Sequence, residues 1–349
     1  RTFKMHLEYL FAGTGAKEEF IDFNENPTTS LNYQKENNLV GMIADSLRIR
    51  KGDFIVFYLQ QNAQQGVFEG KFYGIFQASE DYSFLDNKDK HQYLTLELGK
   101  SLTFRTLIEP FEVFPKGVSE WEALDEIKYI SSPNQMLWSL IYRKLKGNRG
   151  NTMITIYESE RLFKLLRDKN QKATLPNTGF SFDDSKQEII NSPKKTYVGR
   201  QEKINIFPRL DDKYRGNKAF ETHLQAYILN HVGRKTNHSL DNCLVGNLQL
   251  EWIGNEVSCG VGMQRIDIAL SLLAANSRVI QAIELKATEA SPTIIFQLQR
   301  YVDWITQYYL PNRISDIQPV IISKAIVEKK QSNYYDLINN LMKFNKNNT

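Results

Sequence analysis

Two apolar, β-branched runs, Ile266 to Leu273 and Val279 to Ala287, are joined by a short segment around Ala275, Asn276 and Ser277, and this spacing constrains the chain more than any other feature. Runs of this length and composition read as strands, and so short a connection implies an antiparallel hairpin. With the turn centred between Ala275 and Asn276, counting outward places Asp267 directly opposite Glu284. Directly opposed residues leave the sheet on one face, and Lys286, two positions beyond Glu284, joins them there. Ile266, Ile268, Ile283 and Leu285 then face the other way, into a core.

Two carboxylates held opposite each other repel, so the pair costs stability unless something neutralises it. A divalent cation does so. Magnesium takes carboxylate and carbonyl oxygens in an octahedral shell that keeps several waters, and Asp267, Glu284 and the Leu285 backbone carbonyl supply the start of one, with manganese as a substitute. Lys286 beside such an ion is placed to orient or deprotonate an attacking water and to offset charge on a phosphate in transfer. The triplet Glu-x-Lys is weak alone, since Glu69 to Lys71, Glu126 to Lys128 and Glu328 to Lys330 repeat it. None of those has an aspartate across a hairpin. The plainer alternative is a surface hairpin whose charges are simply solvated.

Around the hairpin, periodicity predicts a helix over Asn217 to His231, a strand over Asn247 to Ile253, a helix over Pro292 to Tyr309, a buried strand over Ile317 to Ser323 and a closing helix over Asn333 to Phe344. RIDIAL followed by IELKA, in that order of elements, resembles the PD-(D/E)xK nuclease superfamily, whose restriction endonuclease-like core runs α-β-β-β-α-β. The resemblance covers about residues 215 to 325. It implies that Asp267, Glu284 and Lys286 occupy the catalytic positions and that Glu221, in FETHLQ, is the glutamate often found on the first core helix. Gln297 and Tyr301 resemble the Gln-x-x-x-Tyr element of the RecB-like branch, against the simpler readings of a helix-surface amide and a packing residue. GMQRIDIAL followed by IELK is also similar to archaeal NucS-type endonucleases. Ile266 departs from the superfamily's name motif, which has proline there.

The first half is mostly strand-like: Asp53 to Gln60, Gly66 to Ala78 and Tyr93 to Phe104 are β-branched and aromatic runs bounded by turn formers. Helices are expected over Asn134 to Lys146 and over Ser159 to Asp168, the latter behind a serine cap. The strand spacing, with Lys51, Gly52 and Asp53 entering an aromatic strand, resembles PUA-like and EVE-type domains, α+β folds with a curved sheet that can hold a flipped base. That resemblance, over roughly residues 39 to 170, makes Tyr58, Trp121 and Trp138 candidates to stack on a base, against plain core packing. It makes Arg143, Lys144, Lys146 and Arg149 candidates to grip flanking phosphates, against a solvated helix end.

Turn formers and charges replace periodic residues from Asn170 to Arg200, so the expected organisation is a recognition domain over 1–175, a linker over 176–200 and a nuclease domain over 201–349. The net charge of +4 is uneven: residues 1–175 carry 23 Lys+Arg against 23 Asp+Glu, and residues 176–349 carry 21 against 17. Lys194, Lys195 and Arg200 lie in its most basic stretch, a candidate phosphate contact or merely a basic hinge. His223, His231 and His238 lack a companion cluster, and Cys243 and Cys259 lack metal-ligand spacing and are expected to be free thiols. No run is long enough to span a membrane. The opening RTFKMHLEYLF, which starts at Arg1 and is expected to have an altered or missing start, carries no secretory signal, so a cytoplasmic location is expected. These readings converge on a magnesium-dependent endonuclease acting on double-stranded DNA, of the type II or modification-dependent restriction kind. Three alternatives stay open: a NucS-like repair endonuclease, an RNA-directed nuclease, and a non-catalytic nucleic-acid-binding protein. A homodimer is the simplest way for one site per chain to cut both strands.

Overall fold

Two of the three strand-like runs of the first half do form strands, and one of them, Lys71–Ala78, buries both faces. In the computed structural model, which describes residues 7–14, 30–86, 92–99, 102–138, 150–176, 179–259, 264–275, 277–310 and 316–348, the chain divides into two units. One comprises Arg1–Ile130 with Gln135–Asn205, the other Ser131–Asn134 with Ile206–Thr349. The first contains β1 (Phe11–Thr14), α1 (Ser30–Leu47), β2 (Phe54–Leu59), β3 (Lys71–Ala78), β4 (Phe84–Leu85), α2 (Thr95–Leu98) and β5 (Phe104–Glu112). It continues with β6 (Val118–Ser119), α3 (Glu120–Asp125), α4 (Ile156–Lys169), β7 (Phe180–Asp183), β8 (Glu188–Asn191) and β9 (Glu202–Lys203). Its main sheet has the order β2-β3-β5-β4-β9, with β1 on β5 and β6 on β3, and every pair is antiparallel.

The β2–β3 register slips between Ile55 and Phe57, where Gly74 takes a φ of +62°. Such a bulge switches which side chains face which side. Before it Phe72 joins the core under α4 with Leu162 and Leu166; after it Phe76 joins Tyr73 in the other core, with Phe180 and Ile189.

Three expectations for this half are corrected. Residues 176–200 are not a linker: β7 and β8 pair as a hairpin whose Phe180 and Ile189 are fully buried, and β9 extends the main sheet. Tyr93 to Phe104 is not a strand: α2 lies inside it and is stopped at Gly99, while Leu94 and Leu102 fill a small cluster with Tyr93 and Tyr197. The helix expected from Ser159 begins at Ile156, capped by Thr155 in a reciprocal box with Glu158. Most of the helix expected over Asn134 to Lys146 falls outside the described residues.

The second unit runs α5 (Phe207–Arg215), α6 (Glu221–His231), α7 (His238–Leu244), β10 (Gln249–Ser258), β11 (Arg265–Leu273), β12 (Arg278–Glu289), α8 (Ile294–Trp304) with a π-helical turn over Ile305–Tyr309, β13 (Ile317–Lys324) and α9 (Ser332–Asn347). From α6 onward this is the expected order, with α7 added. The four-stranded sheet is ordered β10-β11-β12-β13, antiparallel except for β13, which returns parallel to β12 after the α8 crossover. The predicted register holds: the Ala274 N–H bonds the Ser277 carbonyl at 2.9 Å, and pairing runs from Leu273–Arg278 to Ile268–Ile283. Ile266, Ile268, Ile283 and Leu285 are buried. The protein is thus a mixed α+β chain. No helix among the described residues is long and apolar enough to cross a membrane.

Candidate active site

At Asp267 the sheet comes apart on both sides. The β11–β12 pairing stops at Ile268–Ile283, one step short of Asp267–Glu284, so the two are not a paired cross-strand set. On the other side the β10–β11 ladder passes from Asn255–Ile268 to Val257–Ile266 and omits Glu256–Asp267, where Glu256 adopts a φ of +51°. A left-handed glutamate is a strained conformation costing about 1–3 kcal/mol, and such strain collects at functional sites.

Backbone groups released from a ladder need other partners, and side chains supply them. The Asp267 carboxylate accepts the Leu285 N–H at 2.7 Å, Gln225 on α6 donates to the Asp267 carbonyl at 2.8 Å, and Glu221, one turn earlier on α6, accepts the Ala287 N–H at 2.8 Å. These contacts define a fork between β11 and β12. In a strand a residue's carbonyl lies on the same edge as its N–H, so the Leu285 carbonyl also faces that fork.

Glu284 sits at the inner end, 2% exposed, where one oxygen takes the Lys286 ammonium at 2.5 Å. Its other oxygen lies 2.7 Å from the Tyr301 hydroxyl, which is also 2.9 Å from the Arg265 carbonyl and shares its one proton between them. Gln297 donates to that hydroxyl in turn. The Gln-x-x-x-Tyr spacing thus puts both residues behind Glu284, one helical turn apart. From Glu284 outward burial falls off: Asp267 and Lys286 are half-buried, and Glu221 and Arg265 are exposed. The site opens to solvent at one end of the sheet.

The electrostatics follow from this burial. Loss of water, then the neighbouring Glu284 charge, push the Asp267 carboxyl up to about 7, with Glu256 adding to the effect against the opposing Leu285 N–H. Partial burial pulls Lys286 down, but the bond to Glu284 and the charges of Glu284, Glu221 and Asp267 outweigh it and hold the ammonium above its ordinary value. Burial first, then the contact with Glu284, raises Tyr301 as well, so its hydroxyl keeps its proton.

Asp267, Glu284 and the Leu285 carbonyl would be the oxygen donors to a cation held at this fork. Among the described residues no three His, Cys, Asp or Glu side chains are gathered to hold a metal. Magnesium does not require three, since it commonly binds one or two carboxylates and completes its shell with water and phosphate oxygens. Asp267, with its raised proton affinity, is a carboxylate whose charge this chain leaves incompletely balanced, which is what a cation would relieve.

The first unit's candidates are scattered by comparison. Tyr58 packs its ring on Phe72 at 5.1 Å and donates its hydroxyl to Glu120. Trp121 on α3 is 64% exposed, and Trp138 is half-buried. Arg143, Lys144, Lys146 and Arg149 lie outside the described residues. Lys194 is exposed, Lys195 pairs with Glu8, and Arg200 stands 3.6 Å from Glu202 and 3.8 Å from Asp86. All three belong to the first unit, not to a hinge. The sequence reading missed Gln225, Glu256 and Arg265, which pairs with Glu256 at 3.1 Å. Gln225 had a usable signal, four residues after Glu221 on one helix face; Glu256 had none, because its place opposite Asp267 depends on the β10 register. His223 and Gln225 are both buried on α6, and among the described residues Cys243 and Cys259 form no disulfide. No protein-family model, curated protein or solved structure matches this chain.

Proposed function

We propose that the second unit is a magnesium-dependent endonuclease of the PD-(D/E)xK kind that hydrolyses phosphodiester bonds in double-stranded DNA. The observation that carries this reading is the fork at Asp267, where two carboxylates and a lysine meet at the open end of a β-hairpin with Glu221 and Tyr301 bonded into the same network. The order helix, three antiparallel strands, crossover helix and parallel strand is the order of that superfamily's core, and it supports the same reading.

When bound, magnesium supplies Lewis-acid polarisation of the phosphate and a more acidic water. The chain's own residues do the rest. Asp267 and Glu284 provide the negative charge that holds the cation. Lys286, an ammonium on the solvent side of Glu284, offsets charge on the phosphate oxygens and orients the attacking water. Tyr301 and Gln297 fix the rotamer of Glu284, and Glu221 fixes the strand just past Lys286 through the Ala287 N–H. Residues 206–349 carry 16 Lys+Arg against 13 Asp+Glu, so most of the chain's positive excess lies with this unit, as sequence-independent phosphate binding requires.

For the first unit the proposal is selection of the target, with exposed Trp121 as the leading stacking residue and Trp138 behind it. This makes the whole protein a restriction endonuclease that reads a site or a modified base. The test is digestion of methylated and unmethylated plasmid with magnesium, beside RNA and mismatched duplexes, by the native protein and by Asp267→Asn and Glu284→Gln. Cleavage of plasmid that both substitutions abolish, with DNA binding retained, is expected. Cleavage that survives both would end the site assignment, preference for mismatches or RNA would move the role to repair or RNA processing, and binding without cleavage under magnesium or manganese would leave a recognition protein.

A further inference from the structure

We propose that Gln225 is a positioning residue of this site, its side-chain amide occupying the place where β10 and β11 fail to pair and thereby fixing the backbone of Asp267. The inference rests on the metal-dependent nuclease reading and deepens it.

Asp267 lies on an inner strand yet has no ladder partner on either side. A backbone segment released in this way is free to rotate its peptide planes unless something else holds it. The Gln225 amide does so, donating at 2.8 Å to the Asp267 carbonyl and at 3.3 Å to the Glu256 carboxylate. A primary amide has two N–H groups, one for each acceptor. Gln225 is 4% exposed on a helix that also buries His223, Ala226, Ile228 and Leu229. A buried amide costs stability against an apolar residue of similar size unless its hydrogen bonds are made. Here one bond that Gln225 donates ends at the fork, on Asp267, and the other on the facing strand β10, at Glu256.

Glu256 reinforces the point. Its strained backbone removes the ladder donor that would meet the Asp267 carbonyl, and its carboxylate then stands where Gln225 reaches it. Arg265 holds the same carboxylate from the other side at 3.1 Å. Helix α6 therefore clamps both arms of the fork: Gln225 holds β11 at Asp267, and Glu221, one turn before, holds β12 at Ala287. Together they set the separation of Asp267 from Glu284 and Lys286, on which metal geometry depends. A site displaced by more than about 0.5 Å loses productive geometry, and partners that orient metal ligands are commonly worth about 10–100-fold in affinity or activity.

The experiment uses the full chain and Gln225→Met, which keeps the volume but cannot donate. Manganese binding is measured by calorimetry without DNA, melting without metal, and kcat and KM on DNA with saturating manganese. The expected result is a manganese Kd raised about 10–100-fold and a comparable fall in kcat at the manganese level that saturates the native protein, with KM for DNA and the metal-free melting temperature little changed. Should Gln225→Met fold poorly, Gln225→Asn, an amide one methylene too short to span both acceptors, is read in the same way. Native manganese affinity and kcat in whichever variant folds would overturn the role of Gln225, even if melting fell, because that pattern belongs to a purely structural amide. A native protein that neither binds manganese nor cuts DNA would instead overturn the nuclease reading, and this inference with it.

Discussion

Replacing Asp267 by asparagine should stabilise the metal-free protein, by an amount that grows as pH rises from about 4 to about 7. Burial and the Glu284 charge raise the folded-state carboxyl to about 7, whereas an aspartate in the unfolded chain titrates near about 3.9. The folded chain therefore keeps a proton that the unfolded chain releases. The stability this contributes is complete below about pH 4 and is lost as pH rises through about 7. A carboxyl raised that far disfavours its ionised form by about 4 kcal/mol, and relaxation with water entry at a half-buried group brings the expected effect at pH 8 to about 2–4 kcal/mol. Asp267→Asn escapes that cost, while its amide oxygen still accepts the Leu285 N–H. Urea denaturation in EDTA across pH 4.5 to 8 reads it. The variant should match the native protein within about 1 kcal/mol at pH 4.5 and exceed it increasingly toward pH 8. Magnesium should then recover the native protein and leave the variant unmoved. A stability difference that stays constant across this range, or a variant weaker at every pH, would refute the reasoning that Asp267 is a buried carboxylate awaiting a counter-ion.

Calcium, with its longer and looser oxygen shell, should support DNA binding but little cleavage, which parallel gel-shift and digestion assays would show. Tyr301→Phe removes the hydroxyl between Glu284, Arg265 and Gln297, so it should cost about 1–3 kcal/mol in a melt; a magnesium titration of cleavage should shift upward as the Glu284 rotamer loosens. Phe180→Ala, in the span that looked like a linker, should cost about 3–5 kcal/mol in urea denaturation, whereas no loss would mean that the β7–β8 hairpin contributes nothing to the first unit's core.

The hairpin at the centre of the site was legible in the sequence because its pairing is local. A short turn between two period-2 runs leaves essentially one register that buries Ile266, Ile268, Ile283 and Leu285 together, and that register brings Asp267 to Glu284 and Lys286. Element order from Glu221 onward followed from the same kind of pattern, apolar repeats switching between helical and strand periods. The 176–200 span misled for the converse reason. Its turn formers are those of a tight hairpin as well as of a linker, and only contact with Tyr73 and Phe76, over a hundred residues earlier, makes Phe180 and Ile189 core residues.

Tertiary structure alone decided how the site is held open. The missing Glu256–Asp267 pair, the left-handed backbone of Glu256 and the reach of Gln225 across the gap all depend on where β10 and α6 pack against β11. No periodicity encodes that placement, since a glutamine on a helix looks the same in sequence whether it meets water or a carbonyl freed from a sheet. Side-chain alternation fixes which face a residue takes. What the residue touches there depends on contacts between segments distant in the chain, which exist only once it has folded.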